Sequence, residues 1–93
     1  MSRIAVIGGG LMGHGIALTF ARAGHDVAVT DPVAASLATV PERIAESLAL
    51  LGASAPETAN ALARIRLHDT LAHCVKDAEY VFEAAPEKLE LKQ

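Results

Sequence analysis

Tryptophan is missing from this 93-residue chain, and one tyrosine with two phenylalanines brings its aromatic content to only 3%. Any core must therefore be assembled from aliphatic and small side chains, among which alanine dominates. There is a single cysteine, Cys74, so an internal disulfide is excluded, which fits a reducing compartment. Basic residues are neither in excess nor clustered along the sequence, and the formal net charge is −3. That balance argues against nucleic acid or an anionic membrane surface as the main partner. No long apolar run is present: the start, "MSRIAVIGGG", breaks into glycine after a few residues, too soon for a secretory signal or a membrane span. Internal repeats and low-complexity tracts are also absent. A soluble, cytoplasmic chain of one small domain is expected, burying only about 60 to 65% of its unfolded surface.

What is present alternates between two periodicities. Arg3 to Ile7 is apolar and β-branched on both faces, as a buried central strand of a parallel sheet should be. Leu11 to Ala23 carries a helical apolar face through Leu11, Ile16, Ala17, Phe20 and Ala21, and Gly24 stands where a helix end favours a left-handed residue. Residues 26 to 31, "DVAVTD", read as a second strand. Helical spacing returns from Ala34 to Leu51, with Pro41 expected to kink or split that helix because it lacks an N–H and crowds the preceding turn. "ASAPET" reads as a linker-like turn, Thr58 to Arg64 as a short helix, Ile65 to His68 as a third strand and residues 71 to 78 as a helical turn or two. "YVFEAA", residues 80 to 85, is a fourth strand, and Pro86 opens a further helix.

Strands and helices in this alternation imply an α/β fold: a parallel sheet with covering helices and right-handed crossovers. The expected order is 3-2-1-4, which is an incomplete Rossmann-type sheet of about four strands, occupying residues 1 to 93. The outer edge of the fourth strand would lack a neighbour and invites pairing with another chain or with the remainder of a longer one.

The chemistry is concentrated in "AVIGGGLMGHGIA", residues 5 to 17. Gly8, Gly10 and Gly13 stand at G-x-G-x-x-G spacing, and each glycine has its own task. The first permits a tight turn, the second lets backbone approach a pyrophosphate, and the third lets helix and strand lie close. The phosphate charge would meet free N–H groups at the positive end of the helix starting near Leu11. Asp31 ends the following strand, where its carboxylate suits an adenosine ribose and repels a 2′-phosphate, selecting NAD over NADP. Asp31 followed by Pro32 also suits a helix cap. FAD is the competing ligand, because Ala17 extends the glycine pattern, but folds of that type prefer glutamate at the Asp31 position.

"GGGLMGHGIALTFARAGHDVAVTD", followed about fifty residues later by "VFEAAPEKLELKQ", resembles the NAD-binding domain of the L-3-hydroxyacyl-CoA dehydrogenase family, which includes 3-hydroxybutyryl-CoA dehydrogenases, lambda-crystallin and carnitine dehydrogenases. The resemblance covers nearly the whole chain. It implies a domain of fatty acid metabolism in which the 3-hydroxyl of an acyl-CoA is oxidised, the carbon bearing it passing hydride to NAD. It further implies pyrophosphate contacts from Gly8, Gly10, Leu11, Met12 and Gly13, an adenosine-ribose contact from Asp31, nicotinamide-side contacts from Glu87 and Lys92, and a CoA contact from Ser47. Two departures stand out: Ser54 occupies the place of a lysine that approaches CoA, and Pro41 interrupts a helix that is continuous in the family. They leave carnitine or free hydroxyacids open as substrates.

The histidine base and its partners in that family lie beyond the matching segment, so no catalytic residue is expected here and the chain alone should not turn over. His14, His25, His68 and His73 fall in no matching context and read as solvated or locally satisfied. Cys74 reads as a small core residue, and no metal-ligand spacing appears. The rival from another class is a stand-alone nucleotide-binding module that uses the same fold without chemistry.

Overall fold

Four parallel strands form the centre of the protein: β1 (Arg3–Ile7), β2 (Asp26–Thr30), β3 (Ile65–Leu67) and β4 (Tyr80–Glu83), hydrogen-bonded in the order β3-β2-β1-β4. The computed structural model describes residues 2–8 and 11–84, with backbone alone for Leu11 and Met12. Register brings Ile7 opposite Thr30 on one side and Glu83 on the other. Gly8, Asp31 and Ala84, each one residue further, are therefore level at the carboxyl edge of the sheet.

One face of the sheet carries the core. Ile4 and Val6 of β1 and Val27 and Val29 of β2 pack under α1 (Leu11–Arg22) and α3 (Val40–Leu50). Val40, Ile44 and Leu48 follow one another at four-residue spacing, so a single stripe of α3 is buried. Each of these side chains contributes about 1.5–3 kcal/mol by leaving water. On α1 the inward residues Ala17 and Ala21 are small and let the helix lie close to the strands. Gly24, at φ 101°, ends α1 in the left-handed region expected for it, and the His25 N–H closes the turn on the Phe20 carbonyl at 3.0 Å.

The helix expected over 34–51 is divided into α2 (Ala34–Ala38) and α3, with the break at Thr39. Pro41 falls in the first turn of α3, where its missing N–H costs nothing because no intrahelical acceptor is available there. The "ASAPET" segment is a correction: it is not a linker. Ser54 caps α4 (Ala55–Ala63), accepting from the Glu57 N–H at 3.2 Å while the Glu57 carboxylate accepts from the Ser54 N–H at 2.7 Å. This reciprocal box starts the helix three residues before the expected Thr58. The opposite face of the sheet carries α5 (Leu71–Val75), capped by the Thr70 hydroxyl, with Cys74 buried beneath it at 3% exposure. β4 ends at Glu83, two residues earlier than expected. The helix expected from Pro86 lies outside the described residues. Among the described residues no helix is long and apolar enough to cross a membrane.

Candidate dinucleotide site

The turn after β1 is built by backbone. Gly8 has φ 107°, a conformation that side chains resist. Its N–H donates to the Thr30 carbonyl at 2.7 Å, tying the turn to the end of β2. The chain then enters α1 at Leu11, and Gly13 comes back against the turn. A Cβ at Gly13 would overlap the Gly8 carbonyl, with the Ala84 methyl next nearest at 3.7 Å. The start of α1 thus sits directly over the junction of β1 and β4, and Ala84 is buried against it. First-turn N–H groups have no carbonyl within their own helix to bond, so the α1 start offers donors and a positive dipole end to an anion. Gly10 lies outside the described residues, as do Glu87 and Lys92.

Asp31 follows directly on β2, half-buried, on the neighbouring strand and level with Gly8. Its Oδ1 accepts from the Val33 N–H at 2.7 Å. This is a turn about Asp31 itself rather than the helix cap anticipated from Asp31-Pro32, because α2 begins only at Ala34 and its cap position is Val33. The carboxylate is oriented by that bond at the edge of the sheet.

Ser47 stands on α3 and is not simply a surface hydroxyl. His14, in the first turn of α1, is 7% exposed and places Nε2 3.2 Å from Ser47 Oγ. The reading of His14 as solvated or locally satisfied is corrected: it is buried, and this partner comes from 33 residues away. Of the other histidines, His25 accepts from the Ser2 N–H at 2.9 Å, and His73 lies 3.0 Å from the Thr70 hydroxyl. Ser54 is occupied in capping α4. Among the described residues no group of histidines, cysteines and acids has the arrangement to hold a metal ion.

A parallel sheet whose connections reverse direction at β1, with a glycine turn and a helix start above that reversal, defines an α/β dinucleotide-binding domain of the Rossmann type. The family model for the NAD-binding domain of 3-hydroxyacyl-CoA dehydrogenase matches residues 3–93. The chain belongs to that family, and NAD is the cofactor of this domain. It is 33% identical over 89 residues to an L-carnitine dehydrogenase of Nocardiopsis dassonvillei, a match covering 96% of this chain and 27% of the relative. Among solved structures, FadB2 of M. tuberculosis is 32% identical with TM-score 0.85, covering 99% of this chain and 33% of that one. A 3-hydroxybutyryl-CoA dehydrogenase from Escherichia coli is 34% identical with TM-score 0.78, covering 98% of this chain and 20% of that one. The chain thus spans a third or less of the length of these relatives. The NAD-binding assignment fits the turn itself, where Gly13 has no room for a side chain and Gly8 needs none.

Proposed function

We propose that this chain is the cofactor-holding part of an oxidoreductase that oxidises the 3-hydroxyl of an L-3-hydroxyacyl-CoA, the hydroxyl carbon giving its hydride to NAD. The close backbone approach of Gly13 to Gly8 at the carboxyl edge of β1 carries this reading. In it, the backbone from Gly8 through Gly10, Leu11 and Met12 to Gly13 holds the pyrophosphate, and Asp31 accepts hydrogen bonds from the adenosine ribose. Glu87 and Lys92 serve the nicotinamide side, and Ser47 touches the CoA portion of the substrate. NAD supplies hydride acceptance; this chain binds and orients. The base that takes the hydroxyl proton belongs to the further part of such an enzyme, residues 1–93 forming its dinucleotide-binding domain, so the chain by itself binds without turnover.

A second reading, a carnitine or free hydroxyacid as substrate, is favoured by one observation. Ser54, at the place of a CoA-approaching lysine, is a helix cap with its hydroxyl and N–H both engaged by Glu57. A cytoplasmic setting accords with the single free and buried Cys74. The β4 edge, where Tyr80 and Val81 are exposed, is where a further strand or a second copy would pair.

Titration of the purified chain with NADH and NADPH, followed by nicotinamide fluorescence and thermal unfolding, tests the reading. Saturable NADH binding that is stronger than NADPH binding is expected. Equal or no binding of both would remove it. Sedimentation showing only monomer at high concentration would remove the pairing of β4.

A further inference from the structure

The face of the sheet opposite α1 holds a cavity of about 260 Å³ between α5 and strands β1 to β3. Its cationic lining is out of proportion to the chain. Four of the eight lysines and arginines, Arg3, Arg64, Arg66 and Lys76, border it in a protein of net charge −3. They face two carboxylates, Asp26 and Asp77. Among the described residues none of the four cations is tied up in an ion pair. Arg66 lies in register with Ala28, which also lines the cavity, and Arg3 lies in register with Asp26. His68 and His73 add hydrogen-bonding imidazoles at the same wall.

We infer that this cavity is a second anion site, separate from the dinucleotide turn, and that it takes a compact phosphate-bearing small molecule. Arg64 and Arg66 line the cavity with planar, forked guanidinium donors that match phosphate oxygens, and Lys76, the residue after α5, adds a point charge. The volume lies just below the usual range for small-molecule pockets, which favours a ligand with one or two phosphate groups over a second dinucleotide. Four cations against two carboxylates leave the lining net positive, so it gains by binding an anion. The site lies on the other face of the sheet from α1, so it stands or falls independently of the NAD assignment.

The test is an amide-resolved titration of the isotope-labelled full 93-residue chain with inorganic pyrophosphate. Chemical-shift changes are expected to gather at Ala28, Arg66, His68 and Lys76, and Arg66→Gln should weaken binding about tenfold through loss of one charge-assisted fork. Lys76→Gln should weaken it by a smaller factor. Both side chains are exposed, so neither change threatens the fold. The inference is overturned if shifts gather at Gly8 and Leu11–Gly15, if both variants bind like the parent, or if millimolar pyrophosphate shifts nothing.

Discussion

His14 Nε2 and Ser47 Oγ, 3.2 Å apart, join the first turn of α1 to α3. The bond links the helix that opens over the glycine turn to the helix bearing the candidate substrate serine. A buried imidazole without a partner is costly, so the pair belongs to the packing of the two helices as well as to the site.

A double-mutant cycle measures that link. His14→Ala and Ser47→Ala should each lower stability by about 1–2 kcal/mol, and the double variant should lose less than the sum by about 0.5–1.5 kcal/mol. Denaturant unfolding of the four proteins gives the coupling. Strict additivity would mean that the bond contributes nothing.

Gly8, Gly13 and Gly15 should respond differently to substitution. Gly13→Ala places a methyl on the Gly8 carbonyl and is expected to abolish NADH binding and cost several kcal/mol, about the upper range of single substitutions. Gly8→Ala meets the positive φ and should cost about 1–2 kcal/mol. Gly15, inside α1 with nothing within 4 Å of an added Cβ, should gain about 0.5–1 kcal/mol on replacement by alanine. Thermal unfolding of the three variants separates close contact from helix propensity.

At Asp31 two roles are separable. Asp31→Asn keeps an oxygen for the Val33 N–H but removes the charge that repels a 2′-phosphate, so NADPH affinity should rise with stability little changed. Asp31→Ala should raise NADPH affinity too, and also lose about 0.5–1.5 kcal/mol with the turn bond. Parallel cofactor titrations and melting curves decide; an unaltered preference for NADH in both variants would confine Asp31 to the turn.

The start of α4 should respond to acid. Hydrogen bonds from the Ser54 backbone and then its side chain hold the Glu57 carboxyl below its ordinary value, outweighing a small opposing effect of burial. A folded-state value below the unfolded one stabilises the protein above the unfolded value, and that contribution disappears as pH falls through the lowered one. Protection of the first amides of α4 from hydrogen exchange, taken relative to their intrinsic rates at each pH, should therefore fall below the ordinary glutamate range, and Glu57→Gln should flatten the pH dependence. An identical profile in the variant would exclude the cap as the cause.

Cys74 offers a probe of unfolding. Burial pushes its thiol upward, only partly opposed by the Val6 carbonyl nearby. The folded protein should react slowly with a thiol reagent near neutral pH, at a rate set by opening of α5 or of the whole fold. Rapid labelling under native conditions would show that α5 does not shield it.

The strands, the helices on either side of β2, the 3-2-1-4 order and the glycine turn were all determined by sequence alone, because hydrophobic period, glycine spacing and crossover handedness act locally or through general rules. The Ser54-x-x-Glu57 box was equally present in the sequence, although a cluster of alanine, serine and proline gave it the look of a linker. Tertiary structure alone decided that His14 is buried against Ser47, that Asp31 turns its own loop rather than capping α2, and that cations from β1, the α4–β3 junction, β3 and the residue after α5 line one cavity. Each of these depends on which residues from distant parts of the chain come face to face. Packing α1 on α3 and α5 on the sheet settles that, and no local pattern encodes it.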